Sequence, residues 1–378
     1  MIHPRVLKAI GTPLLGHLDP EFLQIMDEVQ VSLRWLFHTQ NSFTIAVSGT
    51  GSAAMETAIV NLVEPGDSVI VGINGIFGTR MASMVERCGG KPIRLEVPWG
   101  QWIDPGQIEH GLKHSGPVKA VALVHAETST GVFQPLAEIG TICRIHDTLF
   151  IVDTVTSLGG IPVEVDGWHI DACFSTTQKC LSCPPGLAPL TLSDRAMARI
   201  QQRRHPCQSW YLDCSLVADY WTDTKRTYHH TAPVSMIYAL RESLRLIQEE
   251  GLEQRIFRHR LHSDGLIAGL QTLGFRLLPA LGHHLPPLTC VQVPSHLDEL
   301  GIRTKLLNEF GIEIGGGLGP LKGKVWRIGL MGESSRSEYV LILLSALEQL
   351  LPQMGEKITP GESLKAVAEI FARSLPLP

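Results

Sequence analysis

Residues 149–179 read LFIVDTVTSLGGIPVEVDGWHIDACFSTTQK, and two strand-length apolar runs stand out in this stretch. The first, Leu149–Asp153, ends abruptly in a carboxylate, and the second, Asp171–Ser175, leads into Thr176-Thr177-Gln178-Lys179. Nearly continuous apolar runs are typical of strands that are covered by helices on both faces. In such open sheets the ligand binds at the carboxyl ends of the strands. The stretch therefore predicts an acid and a lysine at the ligand-binding edge of a sheet.

The same alternation of apolar runs and helix-length segments extends from about residue 43 to 195. It predicts an α/β large domain in which a mostly parallel seven-stranded sheet lies between helices. Glu64-Pro65-Gly66-Asp67 is predicted to be a turn, and Asp104-Pro105 is predicted to begin a helix, because proline suits the first helical position. The candidate strands are Phe43–Val47, Ser68–Gly72, Pro92–Val97, Val118–Val124, Leu149–Asp153, Asp171–Ser175 and Leu187–Leu192.

Beyond about residue 233 the pattern changes to long helices and then to shorter strands, which predicts a smaller C-terminal α+β domain. The expected division is an N-terminal segment 1–30, a large domain 31–250 and a small domain 251–378. In the tail, Leu364, Val367, Ala368 and Phe371 recur at helical spacing. This helix either packs on the small domain or binds a partner. The elements expected here are helices 234–249 and 252–273 and strands 287–293, 312–315 and 324–330.

Composition narrows the class of protein. The chain has 378 residues, 44% of them apolar and 18% charged, which suits roughly two globular domains and excludes dominant disorder. The net charge is −5 without a Lys/Arg block, which argues against nucleic-acid binding. No apolar run is long enough for a membrane span, and the N-terminus does not read as a signal peptide. With eight scattered cysteines, we expect a soluble protein in the reducing cytoplasm.

A third feature, Ser48-Gly49-Thr50-Gly51-Ser52, lies between an apolar strand and a helical stretch. Glycines allow close backbone approach, and the free N–H groups of a helix start favour an anion. Three interpretations stay open: a phosphate cradle, ordinary turn chemistry, and a dinucleotide site, since Gly49-x-Gly51-x-x-Ala54 also fits that fingerprint. The dinucleotide interpretation lacks the acid expected at the end of the second strand, which ends Val71-Gly72-Ile73-Asn74-Gly75.

Taken alone, Asp153 could cap a turn and Lys179 could be a solvated loop residue. Partial burial would instead lower the pKa of Lys179 and make its neutral amine a nucleophile toward an aldehyde. The anion site, the strand-end acid and the strand-end lysine together match the needs of pyridoxal 5'-phosphate. These are a phosphate site, a partner for the pyridine nitrogen and an amine for a Schiff base.

From about residue 3 to 350 the chain resembles the class V, fold type I aminotransferases that use pyridoxal 5'-phosphate. It is most similar to the alanine:glyoxylate and serine:pyruvate aminotransferase family. Several ordered blocks carry the resemblance, which makes it more specific than any single motif. The blocks are SGTGSAAMETAIVNLVEPGDSVIVGINGIFGTR (48–80), VHAETSTGVFQPL (124–136), LFIVDTVTSLGG (149–160), TTQKCLSCPPG (176–186), TYHHTAPVSMIYALRESL (227–244) and IEIGGGLGPLKGKVWRIGLMG (312–332).

The resemblance implies a role for each matching residue. Lys179 would form the Schiff base and move the substrate proton, and Asp153 would pair with the pyridine nitrogen. Arg327 would anchor the substrate carboxylate, for which a guanidinium fork is suited. The remaining cofactor-binding residues implied are Thr50, Gly51, Ser52 and Gln178 at the phosphate, Thr128 near the ring hydroxyl, Val155 on one ring face, and Phe77 as the stacking residue in place of the tryptophan of many relatives.

Tyr228 and Thr231 resemble residues that relatives offer to the phosphate of the neighbouring subunit, so a homodimer with shared active sites is implied. A metal site is not expected at His229-His230, because adjacent side chains rarely converge on one ion. Cys180-x-x-Cys183 could be a redox pair, half of a metal site, or small residues that line the pocket. Relatives carry a Gly-Pro-Gly-Pro-like segment before the stretch matching His3-Pro4-Arg5-Val6. Relatives use that segment in the substrate pocket and the dimer contact, and it is absent here, so either the resemblance does not define the substrate pocket here or the native start lies upstream.

The function implied is transfer of an amino group from a small amino acid, alanine or serine, to glyoxylate or pyruvate by a ping-pong cycle. One alternative keeps the cofactor and fold but makes the protein a lyase or desulfurase. Another is a non-catalytic or redox subunit of a larger complex. The sequence does not rank alanine against serine, because a hydroxyl in a pocket changes discrimination by only about 1–3 kcal/mol.

Overall fold

The predicted strands form the centre of the protein. The fold is known from a computed structural model that describes residues 1–221 and 226–373. The strands are β1 Phe43–Ser48, β2 Ser68–Ile73, β3 Lys91–Glu96, β4 Ala120–Val124, β5 Ala126–Glu127, β6 Val132–Phe133, β7 Leu149–Asp153, β8 Ala172–Phe174, β9 Leu187–Leu192, β10 Arg276–Leu277, β11 Leu288–Gln292, β12 Gly315–Gly316 and β13 Val325–Gly329.

Helices cover both the sheet and the C-terminal part. They are α1 Pro4–Ile10, α2 Pro20–Phe37, α3 Gly51–Leu62, α4 Ile76–Arg87, α5 Pro105–His114, α6 Ala137–Ile145, α7 Asp194–Gln201, α8 Cys214–Trp221, α9 Val234–Glu250, α10 Leu252–Thr272, α11 Glu299–Phe310, α12 Ser337–Leu350 and α13 Glu362–Arg373. Asp104 caps α5 by accepting the N–H of Gly106, so the predicted helix start is confirmed. The predicted turn at 64–67 is also present, with the Asp67 N–H bonded to the Glu64 carbonyl.

The large sheet contains all seven predicted strands, in the order β1-β9-β8-β7-β4-β2-β3. Neighbouring strands from β3 to β8 are parallel, whereas β9 is antiparallel to both β8 and β1. Six strands therefore run in one direction, and the carboxyl ends of β1, β7 and β8 meet at one edge. The mostly parallel sheet between helices is confirmed. This edge brings Ser48 and Asp153 to the same side of the molecule as the segment that follows β8.

Some element boundaries were predicted wrongly. The strand expected at 312–315 lies at Gly315–Gly316, because the Ile312 N–H bonds the Leu306 carbonyl as the chain leaves α11. The strand expected at 171–175 is shorter, since the Asp171 carboxylate accepts the Phe150 N–H. The two-residue strands β5, β6 and β10 were not predicted, because two residues show no periodicity.

The described residues form two large hydrophobic cores and a small third one that includes Leu285, Leu288 and Val325. The first includes residues from Val6 to Ile247 and surrounds the large sheet, and the second includes residues from Leu266 to Val367 around β11, β13 and α12. Helix α2 continues through residue 30 and packs on β1 and α9. The three-part division into 1–30, 31–250 and 251–378 stays a prediction.

A buried arginine joins the two cores. Arg255, on α10, is 2% exposed and donates to the carbonyls of Gly159 (3.2 Å) and Cys180 (2.7 Å). Its third partner is the Glu250 carboxylate at 2.6 Å. The first turns of α10 are thereby tied to the segments that follow β7 and β8.

The helix predicted in the tail packs on the C-terminal part of the protein, which is the first of the two alternatives given for it. Helix α13 lies against α10 and α12, with Val367 fully buried and Phe371 beside His262. Within the described part of the chain, no helix is both long and apolar enough to cross a membrane.

Candidate active site

A cleft opens at the carboxyl edge of the large sheet, with about 620 Å³ of empty space. Its walls come from the segments that follow β1, β2, β4, β7 and β8, as expected for an open α/β sheet. The lining residues are Thr50, Gly51, Ser52, Met55, Phe77, Arg80, Val124, Ala126, Thr128, Asp153, Val155, Thr156, Gln178 and Lys179.

One end of the cleft is the N-terminus of α3. The chain turns sharply from β1 into α3 at Gly49, whose φ of +142° and whose missing Cβ, 2.6 Å from Ala53, both require glycine. Thr50 occupies the N-cap without a side-chain cap hydrogen bond, and Gly51 donates its N–H to Thr176 Oγ1 at 3.1 Å. Arg80 Nη1 donates to Ser52 Oγ at 3.0 Å. A helix start with a nearby guanidinium favours an anion.

Asp153 is held within the protein at the end of β7. Its side chain is buried, and its Oδ1 accepts the N–H of Val155 at 2.8 Å. Burial raises the pKa of Asp153 to about 7, and the Val155 hydrogen bond opposes that rise. The carboxylate is therefore able to hold or share a proton near neutral pH.

Lys179 lies in a tight loop between β8 and β9. The loop is closed by hydrogen bonds from the Ser182 N–H to the Lys179 carbonyl (2.9 Å) and from the Cys183 N–H to the Thr177 carbonyl (3.0 Å). Burial lowers the pKa of the Lys179 amine, and the positive charge of Arg327 lowers it further. Both effects increase the fraction of neutral, nucleophilic amine.

Arg327 adjoins the cleft from β13. Its Nε donates to the Gly316 carbonyl at 2.8 Å, and its Nη1 donates to the Thr128 carbonyl at 3.3 Å. A Cβ on Gly315 would lie 3.2 Å from Nη2, so glycine at this position leaves room for the guanidinium. Two main-chain acceptors therefore fix the plane of a positively charged group beside the cleft.

Comparison with known proteins agrees with this geometry. The family model "Aminotransferase class-V" matches residues 8–322. The chain belongs to the class V aminotransferases.

Three relatives show how close the similarity is. The chain is 42% identical over 388 residues to the (S)-ureidoglycine--glyoxylate transaminase of Bacillus subtilis (strain 168), covering 98% of this chain and 93% of that protein. It is 42% identical over 359 residues to an alanine--glyoxylate aminotransferase of Callithrix jacchus, covering 94% and 86%. A crystal structure of alanine--glyoxylate aminotransferase from Nostoc sp. has a TM-score of 0.91 at 48% identity, covering 93% of this chain and 92% of that one. The predicted family and the predicted type I fold are thus confirmed.

In this class V aminotransferase the cleft brings together most of the predicted site residues. Arg327 stands beside them, whereas Tyr228 and Thr231 do not line the cleft and instead lie 3.3 Å apart, Tyr228 Oη to Thr231 Oγ1. The predicted residues that line the cleft are Thr50, Gly51, Ser52, Phe77, Thr128, Asp153, Val155, Gln178 and Lys179. The roles assigned to these residues stay predictions.

The idea that Cys180 and Cys183 line the pocket is wrong. Both thiols are free and buried, and Cys180 Sγ donates to the Thr156 carbonyl at 3.1 Å. Neither residue is among those that line the cleft. A Cβ on Gly160 would lie 2.5 Å from Cys180 Sγ, so this side chain packs against the loop after β7.

Sequence reasoning missed several residues that line the cleft, namely Met55, Arg80, Val124, Ala126 and Thr156. Helical spacing could have found Arg80, because residues three apart share a helix face. Its guanidinium carbon lies 5.0 Å from the centre of the Phe77 ring.

The buried carboxylate predicts a pH-dependent effect of Asp153→Asn on the cofactor-free protein. Because the folded-state pKa is raised from 3.8 to about 7, stability from this group is present at low pH and is lost as pH rises through 7. Asparagine does not titrate, so we expect the variant to melt about 2 °C or more above the unmutated protein at pH 8. The difference should shrink toward pH 4 in calorimetric melts.

The control is Asp264→Asn on α10, where the carboxylate is 39% exposed, and it should show no such pH-dependent gain. An Asp153→Asn protein that is less stable than the unmutated protein at pH 8 would contradict the expectation.

Proposed function

We propose that the protein is a pyridoxal 5'-phosphate-dependent transaminase that moves an amino group from a small amino acid to glyoxylate or pyruvate by a ping-pong cycle. The observation that carries the proposal is one cleft that combines the Asp153 carboxylate, the Lys179 amine and the α3 N-terminus. Relatives named for glyoxylate transamination support the same activity.

The residues present fit the proposed cofactor. The α3 N-terminus, Gln178 and Arg80 supply donors and positive charge for a phosphate. Val155 and Phe77 are apolar walls for a flat ring, and Asp153 can accept a hydrogen bond from a protonated ring nitrogen. The depressed pKa of Lys179 suits Schiff-base chemistry. When bound, the cofactor would supply an electron sink for the charge left when the substrate Cα–H bond breaks.

The side chains of this chain divide the remaining tasks. Asp153 would hold the protonated ring nitrogen, and its burial would keep water from that contact. Lys179 Nζ, whose pKa is lowered by burial, would take the proton from the substrate Cα as a base and then deliver it, as an acid, to C4' of the cofactor. The lysine loop, closed by the Ser182 and Cys183 hydrogen bonds, holds this amine in reach.

Arg327 would bind the α-carboxylate of both the donor and the acceptor. Its guanidinium is oriented by the Gly316 and Thr128 carbonyls before any substrate arrives. Preorientation of this kind lowers the entropic cost of aligning the Cα–H bond for cleavage. The same anchor serves both half-reactions, which is what a ping-pong cycle needs.

Glyoxylate is the acceptor best supported, because both kinds of relative are named for it. For the donor we propose alanine or serine. (S)-Ureidoglycine is a second candidate donor, since the Bacillus subtilis relative that bears its name matches 98% of this chain.

The cofactor assignment is tested with the purified holoprotein. We expect an absorbance band near the visible edge and, after borohydride reduction, a cofactor adduct on the peptide that contains Lys179. Lys179→Ala should abolish both the adduct and turnover, because no other amine occupies that position. Lys365→Ala, on the exposed face of α13, is the matched control and should retain them. A holoprotein with no bound cofactor, or an adduct on another lysine, would overturn the assignment.

The amino donor is tested by following the cofactor absorbance in single half-reactions with alanine, serine and (S)-ureidoglycine, and then adding glyoxylate or pyruvate. We expect conversion by small donors and rapid return with glyoxylate. Sulfide release from cysteine outpacing amino transfer would favour the desulfurase alternative. The structure offers that alternative little support, since the eight cysteines are free and all but the half-buried Cys207 are buried.

We also propose a homodimer with shared active sites. Tyr228 is 53% exposed and lies outside the cleft of its own protomer, as expected for a residue that serves a neighbouring one. Sedimentation of the holoprotein should give a dimer, and Tyr228→Phe should weaken cofactor binding a few-fold. A monomer with unchanged cofactor affinity in that variant would refute the shared site. A cytoplasmic location stays a prediction that cell fractionation tests.

A further inference from the structure

Helix α4 begins in the wall of the cleft without a cap of its own. Its N-cap is Gly75, which has no side chain to accept the first N–H groups of the helix. Those groups cannot find partners within the helix, so an acceptor from elsewhere must satisfy them.

Glu127 on β5, together with its neighbour Ser129, provides the acceptors. Phe77 donates its N–H to Glu127 Oε2 at 3.1 Å, and Ile76 donates its N–H to Ser129 Oγ at 3.0 Å. Ser129 donates both its N–H (3.0 Å) and its hydroxyl (2.5 Å) to Glu127 Oε1. A carboxylate fifty residues away in the sequence thus caps α4, where the helix dipole favours a negative charge.

The contact between the carboxylate and the helix start is tight. A Cβ on Gly75 would lie 2.3 Å from the carboxyl carbon of Glu127 and 2.4 Å from Ser129 Oγ. Glu127 is fully buried. The start of α4 therefore rests directly on Glu127 and cannot shift without disturbing the capping bonds.

The first two turns of α4 carry the side chains that face the cleft. Phe77 is the residue expected to stack on the cofactor ring, and Arg80 lies over the Phe77 ring and donates to Ser52. Movement at the start of α4 would therefore alter the apolar wall and the anion end of the cleft together.

Glu127 also contributes charge to the site. Its carboxylate raises the pKa of Asp153, adding to the larger effect of burial, and it opposes the effect of burial on Arg327. Burial raises the pKa of Glu127 itself, while the hydrogen bonds from Ser129 and Phe77 favour its ionised form.

We propose that Glu127 is a positioning residue, which caps α4 from across the sheet and thereby holds Phe77 against the cofactor. This inference rests on the function proposed above, because it assumes a ring bound between Phe77 and Val155. Glu127 is not itself placed in contact with substrate or cofactor. Its action on the cofactor passes through the first turn of α4.

A double-mutant cycle tests the inference. The Kd for pyridoxal 5'-phosphate is titrated on the full chain after cofactor removal, for Glu127→Met, Phe77→Ala and the double variant. Methionine keeps the volume of the side chain and removes the acceptor. We expect each single change to raise Kd about tenfold. The double change should raise Kd about tenfold to twentyfold, because both act through one contact.

The matched control is Asp104→Ala, which removes a capping carboxylate from α5, another helix that covers the sheet but contributes nothing to the cleft. It should lower the melting temperature and leave Kd within twofold. If the role of Glu127 were purely structural, Glu127→Met would likewise lower the melting temperature and leave Kd within twofold. Unchanged Kd in that variant, a roughly hundredfold rise in the double variant, or a tenfold rise in the Asp104→Ala control would each overturn the inference.

If Glu127→Met does not fold, Ser129→Ala takes its place in the cycle, since it removes the hydroxyl that bonds both Ile76 and Glu127. The Kd values expected for Ser129→Ala and for its double variant with Phe77→Ala are the same as those given for Glu127→Met. Unmutated protein that binds no pyridoxal 5'-phosphate would overturn the proposed function, whereas cofactor binding with additive effects would overturn this inference alone.

Discussion

At the end of β7 the Asp153 carboxylate is almost completely removed from water, and the Val155 N–H bonds one of its oxygens. Burying a carboxylate is unfavourable unless a partner compensates the charge or a proton neutralises it. In the protein without a ligand, the raised pKa of Asp153 reflects the unfavourable burial of its charge. A protonated ring nitrogen would supply the missing partner. The rest of the cleft can be understood as the arrangement that brings such a ring to this carboxylate.

The sheet topology makes the arrangement feasible. The shared strand direction places the carboxyl ends of β1, β7 and β8 at one edge, although β1 precedes β7 by about a hundred residues in the sequence. The antiparallel strand β9 begins at the same edge, so the lysine loop between β8 and β9 lies there. An anion site after β1, an acid at the end of β7 and an amine after β8 therefore share one cleft.

The sequence predicted what is local and missed what depends on distant contacts. Asp153 and Lys179 follow apolar runs, and Ser48–Ser52 precedes a helix, so their chemistry and their location could both be predicted. Arg327 came from the family resemblance, since a strand arginine by itself has no distinctive pattern. Glu127 and Arg80 were not singled out, because the cap of α4 joins residues about fifty positions apart. A charged residue at the end of the apolar run VALVHAETST was the available signal for Glu127.

Because of the buried arginine at the start of α10, the two large cores are not structurally independent of each other. Arg255 satisfies the carbonyls of Gly159 and Cys180 and pairs with Glu250, and all three acceptors belong to the part of the chain that precedes α10. Excising everything after residue 251 would strip these acceptors of their donor, and two of them belong to the segments that follow Asp153 and Lys179. The part of the chain that follows residue 251 therefore supports the segments after β7 and β8 that line the cleft, and it could not be exchanged or deleted without consequence.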